Sequence, residues 1–199
     1  MLFEDEYVCN IIGDQIYVYE NFLSKEEVEI IINKLKNLKD EDWFIPDGFI
    51  FQQLTIKLSE SKIIYNRLNT NKLKFKARQS TAFIKLEVGG FWGEHSDNAD
   101  FTELRNKSKM LKDGDPFKIV EDTTHGIIVY LNDDYEGGEI YYPTQNVIYK
   151  PKAGSLVIHS SEELARHGVK PVISGTRYSY SSNFYTEIKV PLDTKDAYS

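Results

Sequence analysis

Residues 126–159 read GIIVYLNDDYEGGEIYYPTQNVIYKPKAGSLVIH, and this stretch decides the fold class. Short runs of β-branched and aromatic residues alternate here with Gly, Asn, Asp and Pro, which is the pattern of strands joined by tight turns. No long helical pattern separates the later runs, so we predict an antiparallel sandwich or barrel rather than a parallel sheet with crossover helices. The predicted strands cover residues 75–86, 126–131, 139–142, 145–149, 155–159 and 177–187.

The N-terminal third of the chain predicts helices after a short opening strand at 15–19. Ser24 and Glu27 form a capping box, and apolar residues then recur with helical spacing. A weaker helical pattern covers residues 61–68. The expected fold is therefore mainly β with N-terminal helices (α+β). We expect a single domain over 1–199, with a helical support region at 1–72 and a β-rich core at 73–190.

Composition limits both the location and the partners of the protein. The chain has 199 residues with 24 basic and 31 acidic side chains, and its net charge of −7 argues against binding to nucleic acid through phosphate neutralisation. A single cysteine excludes cysteine-based zinc sites and suits a reducing compartment. The N-terminus is acidic and the apolar runs are short, so we expect a soluble, cytoplasmic protein with no membrane partner.

The sequence His95-Ser96-Asp97 is a candidate metal clamp, because residues two apart in an extended segment point to the same face. By itself the pattern is common by chance, and its simpler interpretation is a loop histidine beside a solvated or capping carboxylate. His167 begins a later strand and supplies a second imidazole. Two imidazoles and one carboxylate form the facial triad of non-haem Fe(II) oxygenases, although zinc also binds such ligands.

Arg177 favours an anionic cosubstrate beside the metal. It lies in the sequence GTRYS at 175–179, on the predicted last strand of the core. Its guanidinium has a planar set of donors that matches a carboxylate. The alternative is an ordinary surface arginine paired with a neighbouring acid.

Taken in order, these motifs resemble those of the Fe(II)- and 2-oxoglutarate-dependent dioxygenases, and within them the prolyl 4-hydroxylase-like branch. The resemblance covers about residues 82–185 and implies a double-stranded β-helix, a jelly-roll or cupin-like barrel, with iron at its mouth. It is carried by His95-x-Asp97, YLNDDYEGGE at 130–139, GSL at 154–156, HGV at 167–169 and GTRYS at 175–179.

The resemblance also implies roles for individual residues. His95, Asp97 and His167 would hold Fe(II), and Arg177 would bind the distal carboxylate of 2-oxoglutarate. Because related halogenases replace the carboxylate with a small residue, Asp97 favours oxygen transfer. Two further residues are expected in the cosubstrate site, namely Tyr130 and Ser179.

Each of these two residues has a simpler alternative. Tyr130 is either a carboxylate ligand or an ordinary aromatic strand residue. Ser179 follows Arg177 in an Arg-x-Ser pattern, and in an alternating strand it can share the arginine face without touching the ligand. The chain departs from many relatives at Leu86, where they carry a tyrosine that contacts 2-oxoglutarate.

The activity implied is hydroxylation of a peptidyl proline, using O2 and 2-oxoglutarate, releasing succinate and CO2, with ascorbate as reductant. Two alternatives stay open: the same chemistry on a free amino acid, another side chain or a small metabolite, and a jelly-roll binding module without activity. The charged loop at 98–122 is either a substrate lid or a solvated loop.

Three aromatic residues near these motifs are expected in supporting positions. His125 and His159 lie at strand ends outside the ligand positions implied by the resemblance, and we expect polar strand-end or supporting roles for both. Trp92 either packs in the barrel wall or flanks the mouth of the site, and we favour packing.

Overall fold

The computed structural model describes residues 8–43, 54–56, 59–69, 75–77, 82–98 and 124–186. Within these ranges the helices are α1 (Lys25–Lys36) and α2 (Ser61–Asn69). The first seven strands are β1 (Cys9–Gly13), β2 (Ile16–Tyr19), β3 (Leu54–Ile56), β4 (Phe75–Ala77), β5 (Ala82–Leu86), β6 (Trp92–His95) and β7 (His125–Tyr130). They are followed by β8 (Glu136–Gly137), β9 (Ile140–Tyr142), β10 (Val147–Tyr149), β11 (Leu156–Ser160), β12 (His167–Val169), β13 (Val172–Ser174) and β14 (Arg177–Thr186).

The strands form three antiparallel sheets. The largest has the order β1-β2-β11-β7-β14-β5-β3, with β4 also pairing with β14. A second sheet has the order β10-β9-β12-β6, and β13 pairs with β8 in a two-stranded ribbon. The prediction of a mainly β protein with antiparallel sheets is confirmed. The strands that we did not predict are short ones, such as β6 and β13, with too few residues for a clear alternation.

Helix α1 lies against one face of the large sheet. Its N-terminus has the predicted capping box, in which Glu27 N–H donates to Ser24 Oγ over 3.2 Å and Ser24 N–H donates to the Glu27 carboxylate over 2.8 Å. The buried face of the helix, Ile31, Ile32 and Leu35, packs into a cluster with strand residues. In the part of the chain that the structure describes, no helix is long and apolar enough to cross a membrane.

The central strand β7 shows how the large sheet divides the core. Ile127 and Val129 belong to the cluster that includes the helices, whereas Ile128 and Tyr130 belong to the cluster that includes the second sheet. This alternation follows from the two-residue period of a strand. The large sheet therefore has helices on one face and the four-stranded sheet on the other, and the candidate site lies between the two sheets.

Strand register fixes which residues of the large sheet face this site. Ser179 of β14 pairs with Tyr130 of β7, and Arg177 pairs with Leu86 of β5. Directly opposite residues point to the same face, so these four side chains all face the second sheet. Of the charged loop predicted at 98–122, only Asn98 lies within the described residues.

Candidate active site

His95, Asp97 and His167 come together between the sheets. Pairing of β6 with β12 places His95 directly opposite His167, and the centroids of the two rings are 4.4 Å apart. One ligand atom from each histidine and one from Asp97 all lie within 4.8 Å of one another, and all three residues are buried. The structure thus juxtaposes the three residues that the sequence predicts as metal ligands.

Backbone carbonyl groups orient both imidazole rings. His167 Nδ1 lies 3.0 Å from the carbonyl oxygen of Ala165, and His95 Nδ1 lies 2.9 Å from that of Gly93. Because a carbonyl oxygen only accepts, the contact of His167 favours a proton on its Nδ1 and leaves its Nε2 with the lone pair. That is the tautomer in which Nε2 binds a metal ion. His95 Nδ1 also faces the donor Nε1–H of Trp92, so its carbonyl contact orients the ring without fixing the tautomer.

Trp92 packs against apolar residues, as expected, and also contacts His95. It packs against the small cluster of Leu86, Val169 and Val172, and its indole Nε1 lies 2.9 Å from His95 Nδ1. The indole therefore extends this apolar cluster and also limits the positions that the His95 ring can occupy.

Asp97 is buried among imidazoles. Its Oδ1 lies 3.5 Å from His95 Nε2, and its Oδ2 lies 3.7 Å from His159 Nε2. Burial alone raises the pKa of Asp97, but the contacts with His159 and His95 outweigh it and hold that pKa well below its ordinary value. Asp97 is consequently an ionised carboxylate, which is the form that binds a cation.

His159 belongs to this cluster, which is more than the sequence predicted. Its ring centroid is 4.1 Å from that of His167, and its Nδ1 lies 3.0 Å from Tyr142 Oη. The residue is only 1% exposed. One signal was available in the sequence: an imidazole that ends the apolar strand SLVI must find polar partners if it is buried.

Gly126 lets β7 approach the cluster. It pairs with His159 across β7 and β11, and a Cβ atom added to it would lie 2.5 Å from both Asp97 Oδ2 and His159 Nε2. Any other residue at 126 would displace these groups. His125, one residue earlier, is partly buried with its Nδ1 2.9 Å from Thr124 Oγ1, as expected for a polar strand-end residue.

Arg177 is among the largest fully buried side chains, at 2% exposure. Its Nη1 donates to Ser179 Oγ over 3.0 Å, and its Cζ lies 4.9 Å from the centroid of the Tyr130 ring. Arg177 Nε and Nη2 and Tyr130 Oη are buried and have no hydrogen-bond partner among the described residues. Leu86, opposite Arg177, supplies neither a donor nor an acceptor at this position.

Unpaired buried donors of this kind fit an anionic ligand. Leaving a buried guanidinium without an acceptor costs far more than burying it against a carboxylate. Burial also raises the pKa of Tyr130, so its hydroxyl keeps its proton and remains a donor. The donor set suits a carboxylate, and the nearby His-Asp-His set has the nitrogen and oxygen ligands that suit Fe(II).

Comparisons with known proteins agree with this geometry. A PKHD-type hydroxylase from Delftia acidovorans is 34% identical over 117 residues, which cover 57% of this chain and 45% of that protein. A PKHD-type hydroxylase from Saccharophagus degradans is 29% identical over 194 residues, covering 88% of this chain and 79% of the relative.

Two solved structures share the fold. A prolyl-4-hydroxylase from Pseudomonas putida has a TM-score of 0.59 at 18% identity, over 86% of this chain and 92% of that one. A prolyl hydroxylase from Trichoplax adhaerens, in complex with a peptide fragment of the hypoxia inducible factor oxygen degradation domain, has a TM-score of 0.64 at 16% identity, over 87% of this chain and 84% of that one.

The family comparison identifies the chain directly. Residues 81–185 match the family described as the 2OG-Fe(II) oxygenase superfamily, and this range is more than half of the chain. It contains the triad, Tyr130 and Arg177, which lie on the two facing sheets or, for Asp97, directly after strand β6. The name of the family specifies Fe(II) and 2-oxoglutarate, the two groups that the donor sets fit. The chain therefore belongs to the 2OG-Fe(II) oxygenase superfamily.

Proposed function

We propose that the protein is a 2-oxoglutarate-dependent hydroxylase that oxidises an unactivated C–H bond of a peptidyl proline. One observation carries the proposal: a buried His-Asp-His set, with ligand atoms within 4.8 Å of one another, shares the space between the sheets with a buried arginine that has two unpaired donor nitrogens. The first feature fits Fe(II), and the second fits the cosubstrate.

In this proposal, His95 and His167 hold the metal through Nε2, and Asp97 holds it through its carboxylate. Bound Fe(II) supplies the redox chemistry by which O2 oxidises 2-oxoglutarate to succinate and CO2, while one oxygen atom is transferred to the C–H bond of the substrate. The backbone contacts of both histidines keep the ligand nitrogens in place before the metal binds, which reduces the ordering that binding requires.

Arg177 and Tyr130 bind the distal carboxylate of 2-oxoglutarate. Ser179 Oγ accepts from Arg177 Nη1 and fixes the plane of the guanidinium, which leaves Nε and Nη2 for the ligand. The pocket is buried, and a charge-assisted hydrogen bond is stronger there than in water. The distal carboxylate thereby orients the 2-oxo acid end toward the metal.

The architecture we propose is a double-stranded β-helix over residues 73–190, supported by helices within 1–72. The facing sheets, with the site between them, support it, as do the TM-scores of 0.59 and 0.64 to prolyl hydroxylase structures.

The choice of a peptidyl proline rests on the relatives. Solved proteins of this fold carry the names collagen prolyl hydroxylase, prolyl-4-hydroxylase and prolyl hydroxylase bound to a peptide fragment. The alternative substrates are a free amino acid or another small molecule, and the assay below separates these from a peptide.

The experiment measures succinate formed by purified protein supplied with Fe(II), ascorbate and 2-oxoglutarate, with and without a library of proline-containing peptides. We expect succinate that depends on iron and increases with the correct peptide. His167→Asn should abolish succinate formation. The matched variant His125→Asn, at a histidine outside the triad, should still form succinate. Stimulation by free amino acids instead of peptides would replace the peptide substrate with a small molecule. The absence of succinate under every condition would contradict the enzymatic function.

A further inference from the structure

Tyr135 carries a buried hydroxyl beside Arg177, and the sequence motifs predict no role for this residue. It lies between β7 and β8, and its side chain packs inside the protein at 3% exposure. Its Oη atom is buried and has no hydrogen-bond partner among the described residues. Burying a phenol hydroxyl costs free energy unless a ligand or an ordered water accepts a hydrogen bond from it.

Two glycines hold Tyr135 against the arginine. A Cβ added to Gly138 would lie 3.0 Å from Tyr135 Cε2 and 3.1 Å from Arg177 Cδ, so the ring and the arginine stem meet at this point. A Cβ added to Gly175 would lie 3.1 Å from Tyr135 Cα. Both glycines have positive φ angles, +65° and +77°, which other residues rarely adopt. The backbone around Tyr135 is thus shaped to place its ring on Arg177.

The hydroxyl is also within electrostatic reach of the guanidinium. Burial raises the pKa of Tyr135, and the positive charge of Arg177 opposes this increase. The phenol keeps its proton at neutral pH and acts as a donor. On the outer side, Lys150 Nζ lies 5.5 Å from the centroid of the ring and donates to the backbone carbonyl of Tyr135 over 2.8 Å. These contacts hold the residue in place beside Arg177.

Four buried donors without partners among the described residues therefore lie on three neighbouring side chains: Arg177 Nε, Arg177 Nη2, Tyr130 Oη and Tyr135 Oη. An ionised carboxylate has about four acceptor positions on its two oxygens, so it can accept from all of them. Leu86, opposite Arg177, contributes no donor. We infer that the Tyr135 hydroxyl donates a hydrogen bond to the distal carboxylate of 2-oxoglutarate, supplying what Leu86 cannot.

This inference rests on the proposed function, because it requires that the pocket binds 2-oxoglutarate. It makes Tyr135 a third binding residue for the distal carboxylate, beside Arg177 and Tyr130. The competing explanation is a purely structural tyrosine whose hydroxyl is satisfied by water. If Tyr135 binds the distal carboxylate, removing its hydroxyl weakens the binding only of ligands that carry this carboxylate. If Tyr135 is purely structural, ligands with and without the carboxylate lose affinity equally or not at all.

The test compares two ligands of equal length by calorimetry on anaerobic Fe(II)-loaded protein. One ligand is 2-oxoglutarate, and the other is 2-oxopentanoate, which has a methyl group in place of the distal carboxylate. We expect Tyr135→Phe to weaken binding of 2-oxoglutarate by about 10-fold or more, the effect of losing a hydrogen bond to a charged group. Binding of 2-oxopentanoate should not change.

Tyr180→Phe is the matched control, because Tyr180 lies on the opposite face of β14, in the cluster that includes the helices. It should leave the affinities for both ligands unchanged. An equal loss for both ligands in Tyr135→Phe, or no loss for either, would overturn the assignment of Tyr135. If the unsubstituted protein does not prefer 2-oxoglutarate over 2-oxopentanoate, the carboxylate pocket of the proposed function is itself wrong.

Discussion

A buried imidazole needs partners for both of its nitrogens, and His159 has them in Tyr142 and Asp97. Burial raises the pKa of Tyr142 well above its ordinary value, so its hydroxyl keeps its proton and donates to His159 Nδ1. The other ring nitrogen, Nε2, lies 3.7 Å from Asp97 Oδ2. His159 thus positions the carboxylate that we propose as a metal ligand.

This arrangement predicts a loss of metal affinity when the imidazole is replaced. His159→Asn should weaken Fe(II) binding by about 10- to 100-fold, the range found when residues that orient metal ligands are changed. The measurement is an anaerobic titration against a competing chelator, with His125→Asn as the matched histidine control. Equal affinities in the two variants would show that His159 does not position Asp97.

At the scale of elements, helix α1 is attached to the rest of the protein at both its cap and its buried face. Ser24 and Glu27 satisfy each other's backbone N–H groups, and Glu27 also accepts from Arg67 Nε of α2 over 2.9 Å. Ile31 and Leu35 are buried in the cluster shared with the large sheet. The cap therefore stabilises an element that packs behind the face carrying Tyr130 and Arg177.

We expect Ser24→Ala to lower the free energy of unfolding by about 1 kcal/mol, the usual effect of removing an N-cap side chain. Chemical denaturation should show this as a lower midpoint with an unchanged slope. Ser174→Ala, at an exposed position at the end of β13, is the matched control and should have little effect. A similar loss in both variants would argue against a specific contribution of the capping box.

At the scale of the whole molecule, buried histidines link stability to pH. Burial, together with the charge of His159, lowers the pKa of His125 to about 4, and burial lowers the pKa of His167 well below its ordinary value. A histidine with a lowered pKa in the folded state binds fewer protons there than in the unfolded chain. Falling pH therefore favours unfolding over the interval between the pKa of the histidine in the unfolded chain and its lower pKa in the folded protein.

We expect the free energy of unfolding of the metal-free protein to decrease as pH falls from about 6.5 toward 4. His125 contributes at most about 3 kcal/mol to this decrease, from its shift in pKa. Denaturant titrations at a series of pH values measure it, and His125→Asn should give a shallower dependence than the unsubstituted protein. An identical slope in the variant would mean that His125 does not titrate on unfolding.

Much of the fold was predictable because its signals are local. The capping box at Ser24, the alternating segments that became β7 and β11, and the His95-x-Asp97 spacing all depend on residues close in sequence. Short strands such as β6 and β13 were missed because so few residues show no periodicity. The helices and main strands could therefore be predicted, with boundaries displaced by a residue or two.

By itself, the sequence determined the residue types available to the site, the alternation along each strand and the motifs that resemble one dioxygenase family. Only the tertiary structure decided which strands are neighbours. It placed His159 of the large sheet against Asp97, which follows β6 of the second sheet, and Tyr135 against Arg177 beside the glycines at 138 and 175. The physical reason is that the direction of a side chain along a strand follows from local backbone geometry, whereas strand pairing follows from burying apolar surface across the whole chain.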